Sequence, residues 1–186
     1  MEKVYYSIKK VNNDINLDEK QFSPGVIDHI RRYKNERAFM QSLTAWKLLD
    51  FMVQKIYGRA LKESNVEFSK RGKPICDDFY FSISHAGDFV AVALSNGPCG
   101  IDIEKITERN NIDKIAVNIF GNKVNSEEDF YQSWTSTEAA AKMLDIAVCE
   151  VKNLKKNSLK KEFIKQGDYV ICITCVENFV SINVNN

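Results

Sequence analysis

Hydrophobic and polar residues alternate along several short stretches of the chain and recur at helical spacing along others. The alternation is clearest at residues 100–104, Gly-Ile-Asp-Ile-Glu, which predicts a strand with Ile101 and Ile103 on one side and Asp102 and Glu104 on the other. The same period predicts strands at 4–9, 66–70, 80–85 and 89–94, and closing strands at 163–164, 169–176 and 179–184. Ala86-Gly87-Asp88 reads as a turn, so 80–94 forms a hairpin with His85 at a strand end, where ligand contacts concentrate. Phe81, Ile83 and His85 face one side of that hairpin, Ser82 and Ser84 the other.

From residue 26 to 57 the apolar positions keep helical spacing, a length that predicts two helices broken near Lys34-Asn35. Ser23 and Pro24 open the first and Gly58 closes the second. Ile112, Ile115, Ile119 and Phe120 predict a short helix closed by Gly121. Ser126, followed by three acids, opens a longer one. That last helix carries Phe130, Trp134, Glu138 and Lys142 on one face, with Glu138 and Lys142 spaced for an i, i+4 ion pair. Strand, helices and hairpin thus occur twice. The pattern predicts an α+β pseudo-dimer of two similar strand-helix-hairpin subdomains, residues 1–98 and 99–186, with the seam near Pro98.

Composition narrows the functional classes. The 186 residues are 44% hydrophobic and carry a net charge of +1, ordinary for a globular protein. Such a balance offers no field for a nucleic acid or an anionic membrane, so an anionic ligand must be held by a local site. No apolar run has signal-peptide or membrane-spanning length, and a cytoplasmic location is expected. The five cysteines are scattered; Cys172 and Cys175 lie in an apolar strand and face opposite sides, as reduced core residues. Lys152, Lys155, Lys156, Lys160, Lys161 and Lys165 form a basic tract expected on a solvated helix and loop face. Among Arg31, Arg32, Lys34, Arg37 and Lys47, one or two are placed to approach a phosphate.

Asp102 and Glu104 share one small volume, where like charges need a cation or a proton between them unless the face is solvated. Arg71-Gly72-Lys73-Pro74 reads as a turn with Lys73 at its lip.

Taken in order, these segments are Arg-Gly-Lys-Pro at 71–74, Phe-Ser-Ile-Ser-His at 81–85, Gly-Ile-Asp-Ile-Glu at 100–104 and Trp-Thr-Ser-Thr-Glu-Ala-Ala-Ala-Lys at 134–142. The series resembles the 4'-phosphopantetheinyl transferases, in particular their longer, single-chain, surfactin-type branch. The resemblance implies that Asp102, Glu104 and Glu138 hold Mg²⁺ together with the pyrophosphate of coenzyme A. It also implies that Lys142 contacts the phosphate under attack and that Lys73, Ser84 and His85 contact the other phosphates. The implied reaction is attack of a serine hydroxyl of an apo acyl or peptidyl carrier protein on the β-phosphate of coenzyme A, releasing adenosine 3',5'-bisphosphate. Glu138, directly or through a metal-bound water, is the candidate base for that serine. The carrier would serve fatty-acid, polyketide or nonribosomal peptide synthesis, and the chain is expected to act as a monomer without nucleic acid or membrane. Three positions depart from the family pattern: Thr137 replaces a lysine, Asp145 stands where glycine is usual, and Gln41 takes the place of a coenzyme-contacting arginine. Arg37, one turn earlier, is the expected stand-in. A relative that binds coenzyme A or a carrier without transfer is the alternative. An unrelated Mg²⁺-dependent nucleotide binder is disfavoured, because the chain has no P-loop and no G-x-G-x-x-G.

Overall fold

A computed structural model describes residues 1–153 and 159–184. It is a mixed α+β structure. Strand β1 (Glu2–Lys10) is followed by α1 (Pro24–Arg31), α2 (Glu36–Tyr57), β2 (Val66–Phe68), β3 (Pro74–Cys76), β4 (Tyr80–Ala86) and β5 (Phe89–Ser95). Then come β6 (Cys99–Lys105), α3 (Ile112–Phe120), α4 (Glu127–Leu144), α5 (Val148–Val151), β7 (Lys160–Gln166), β8 (Tyr169–Cys175) and β9 (Phe179–Asn183).

The helix ends follow local chemistry. The Asn35 side chain accepts from the backbone N–H of Ala38 and starts α2, and Gly58, at φ 70°, stops it in the left-handed region open to glycine. Ser126 caps α4 through the N–H of Asp129, and three acids fill the first turn. Ser23 has extended geometry before Pro24, but its side chain makes no capping bond, so α1 starts on proline alone. The far end of α4 is closed by Asp145, a non-glycine residue at φ 54°.

One sheet has the order β4-β5-β1-β9 and a second β6-β8-β7, with β2 and β3 paired separately. In each large sheet the hairpin's second strand lies antiparallel to the strand that opens its half of the chain: β5 beside β1, and β8 beside β6. The last strand, β9, returns to the first sheet and pairs parallel with β1.

Strand β5 is buried on both faces, and its alternation distributes the core. Val90, Val92 and Leu94 pack with Trp46, Leu49 and the rest of the α1 and α2 cluster. The small Ala91 and Ala93 let the second sheet approach with Ile101, Ile103, Ile171 and Ile173. Phe130 and Tyr131 of α4 pack with Ala116 and Val170 beyond it. The layers therefore run α1 and α2, first sheet, second sheet, α4, and the side of β6 that bears Asp102 lies under α4.

Three expectations are adjusted. Residues 74–76 form a strand paired with β2, so Arg71-Gly72 is the turn of a small hairpin. Strand β7 spans seven residues, because β8 offers it a full ladder, and Lys160, Lys161 and Lys165 lie on this strand instead of on a helix or loop. Lys155 and Lys156 lie outside the described residues. All five cysteines are free, and Cys172 and Cys175 are fully buried in β8, as the apolar pattern implies. Among the described residues no helix is long and apolar enough to cross a membrane.

Candidate active site

The period-two pattern of β6 points Gly100, Asp102 and Glu104 at α4. A Cβ on Gly100 would lie 2.0 Å from the carbonyl oxygen of Ala139, so only glycine lets the helix backbone rest on the strand. That close approach brings Glu138, the neighbour of Ala139, toward Asp102. Helical spacing then sets Trp134, Glu138 and Lys142 in a row above β6.

The end members of the row reach down. Trp134 Nε1 donates to Glu104 Oε1 at 3.1 Å. Lys142 Nζ donates to Asp102 Oδ1 at 2.6 Å and to Ser84 Oγ at 2.7 Å, and Ser84 Oγ donates to the same Asp102 oxygen at 2.7 Å. Lys142 thus pairs with β6 and not with Glu138, its i, i+4 neighbour. The reason is burial: Asp102 is 3% exposed and has more to gain from an ammonium group than a half-exposed glutamate does.

Electrostatics leave the site short of positive charge. Burial, with the Asp102 carboxylate adding to it, pushes the Glu104 carboxyl up to about 7, against the opposing pull of Trp134 and Lys142. The same two causes raise Glu138, again against Lys142. Asp102 Oδ2 is buried without a hydrogen-bond partner. An orphaned carboxylate oxygen beside two acids that resist ionisation is a donor set suited to a hard divalent cation such as Mg²⁺. Among the described residues, no three His, Cys, Asp or Glu side chains form a ready-made metal cluster.

Beside this row opens a cleft of about 590 Å³, lined by Lys73, His85, Glu138 and Lys142 of the expected residues. Lys73 Nζ donates to the carbonyl oxygen of Met143 at 2.9 Å, tying the 71–74 turn to the end of α4. Burial lowers its pKa, with Asp145 opposing. His85 is exposed at the rim, yet the protein around it and the Lys142 ammonium hold its pKa below the usual value. Asp102, Glu104 and Ser84 do not line the cleft, and Lys142 joins Asp102 and Ser84 to it.

Arg37 stands apart. It pairs with Asp88 at 2.9 Å and borders a different cavity, while Gln41 donates to the carbonyl of Gly87 at 2.9 Å. The β4–β5 turn intercepts both side chains, so Arg37 does not stand in at the cleft. Thr137 is 9% exposed and bonds back to the carbonyl of Ser133 at 2.7 Å, also off the cleft.

The cleft also takes in Arg71 of the quoted turn, Arg32 of the helical cations placed to approach a phosphate, and His29, which the sequence did not single out. Arg71 shares the turn of Lys73, and Arg32 and His29 sit one turn apart at the end of α1. The helical spacing of His29, Arg32 and Tyr33 was the available signal. His29 stacks on Phe68 with ring centroids 4.6 Å apart, and burial, then Arg32, lowers its pKa to about 4.

No protein-family model matches the chain. Two curated proteins do. One, the 4'-phosphopantetheinyl transferase gsp of Aneurinibacillus migulanus, is 34% identical over 128 aligned residues, covering 61% of this chain and 52% of that protein. The other, the 4'-phosphopantetheinyl transferase psf-1 of Bacillus pumilus, is 34% identical over 62 residues, 32% of this chain and 27% of its own. The chain therefore spans about half the length of the first relative and about a quarter of the second. The four motifs and both alignments point the same way: the sequence of this chain is similar to the 4'-phosphopantetheinyl transferases.

Proposed function

We propose that the chain transfers the 4'-phosphopantetheine group of coenzyme A to a serine of an apo acyl or peptidyl carrier protein, with release of adenosine 3',5'-bisphosphate. The observation that carries this is Lys142, held between Ser84 and Asp102 at the edge of a cleft that Glu138 also lines. Lys73, Arg71, Arg32 and the His85 edge line the cleft with groups that bind phosphate oxygens. Lys142 meets the negative charge that develops on the β-phosphate and on the leaving bisphosphate. Glu138, its basicity raised by burial and by Asp102, takes the serine proton as the new P–O bond forms and the bond to the bisphosphate breaks. Asp102, Glu104 and Glu138 would hold Mg²⁺, which supplies positive charge to the pyrophosphate when bound.

We read the two halves, 1–98 and 99–186, as a pseudo-dimer with the cleft at their seam. The matching strand orders β4-β5-β1 and β7-β8-β6 support this. Binding of coenzyme A without transfer is the second reading, favoured by the engagement of Asp102 with Lys142. The test is incubation with coenzyme A, Mg²⁺ and an apo carrier protein, followed by intact mass measurement of the carrier. A phosphopantetheine-sized gain that disappears in Asp102→Ala and Glu138→Ala supports the enzyme. Retained coenzyme binding with no gain across several carriers selects the second reading.

A further inference from the structure

Strands β4 and β6 are neighbouring edges of two different sheets, and no backbone ladder joins them. Two serine hydroxyls do so instead. Ile101 N donates to Ser82 Oγ at 3.1 Å and Ile103 N to Ser84 Oγ at 3.4 Å, which satisfies the outward N–H groups of an edge strand without extending the sheet.

Ser84 has a second set of partners. A hydroxyl offers one donor and two acceptor positions. Its hydrogen goes to Asp102 Oδ1 at 2.7 Å, and its lone pairs accept from Lys142 Nζ at 2.7 Å and from Ile103 N. Its capacity is filled, its residue is 5% exposed, and it is not among the residues lining the cleft. A hydroxyl so committed has nothing left to offer a phosphate oxygen in the cleft.

We propose that Ser84 is a positioning residue: it fixes the Lys142 ammonium and the Asp102 carboxylate at the seam and does not touch coenzyme A. This rests on the transferase reading above. A coenzyme contact contributes to binding, whereas a residue that orients the charged pair acts on the chemical step.

The experiment begins with wild-type transfer to an apo carrier and then compares Ser84→Ala. Misplacing a reacting group costs about 10- to 100-fold, so kcat is expected to fall by that much while the coenzyme KM, and its Kd by calorimetry, stay within about twofold. A Kd weakened more than about fivefold with kcat intact makes Ser84 a coenzyme contact and overturns the proposal, as does no change in either. If the alanine variant fails to fold, Ser84→Cys keeps the shape with a weaker donor and must show the same split. A wild type that transfers to no carrier defeats the transferase reading instead. The proposal is then decided by labelling of Lys142 with an amine-acylating reagent, read by peptide mass spectrometry. Freed of one of its two partners, Lys142 labels about threefold faster or more in Ser84→Ala. Unchanged labelling overturns the proposal whether or not the chain transfers.

Discussion

Lys142 and Asp102 show how much a single pair can hold. Removing one partner of a buried pair costs about 3 to 5 kcal/mol. Lys142 keeps 31% of its side chain exposed, which brings the expected loss for Lys142→Met to about 1 to 3 kcal/mol. Millimolar Mg²⁺ is expected to raise the melting temperature of that variant more than that of wild type, because a cation then does for Asp102 what the ammonium did. Equal shifts in thermal scans would count against Asp102 as a ligand. His29 gives a pH signature. Its folded pKa of about 4 lies below its ordinary 6.5, so between those values the unfolded chain binds a proton that the folded chain does not. Stability is full above pH 6.5, falls as the pH drops toward about 4, and levels off below it. Urea titrations of His29→Phe should lose that slope. At this scale the sequence showed which acids share a face, since strand and helix periods dictate it. It could not show that Arg37 meets Asp88 or that Lys142 prefers β6 to its own helix, because both depend on what the fold brings opposite.

Element ends and contacts carry two further expectations. Asp145 closes α4 at φ 54°, a conformation that costs most side chains about 1 to 2 kcal/mol and glycine almost nothing. Asp145→Gly should therefore stabilise by about 0.5 to 1 kcal/mol in chemical denaturation. It also removes a carboxylate from the cleft and should tighten coenzyme A binding by calorimetry. Gly100→Ala has the opposite sign. Its Cβ meets backbone, which cannot swing aside, so a loss of roughly 1 to 3 kcal/mol is expected, with α4 lifted from β6 and transfer reduced beyond the stability loss. The long helix α2 and the alternating β4, β5 and β6 were legible because each repeats its period several times. Strand β3 was not: three residues beginning with proline contain no period, and only its pairing with β2 defines it. Strand β7 was read short because Lys160 and Lys161 look like tract charge until β8 supplies the ladder.

At the scale of the molecule, the order of strands and helices was visible in the sequence, but the destination of β9 was not. Nothing in an apolar strand states which edge it will join. Here it pairs with β1, Val4 opposite Ser181, and Ser181 Oγ donates to Glu162 Oε1 at 2.6 Å across to β7. A chain ending at residue 177 should leave the β1 edge open and associate, seen as early elution and light scattering, while the full chain elutes as one species.

That pairing also has a history in time. β1 leaves the ribosome long before β9 and gains its second neighbour only once β9 has been made. At about 5 to 20 residues per second, the interval is on the order of 10 to 40 s. During it, one edge of the first sheet is an open template on every nascent copy. Crowded translation is thus a condition under which this open edge meets other copies before its own partner exists.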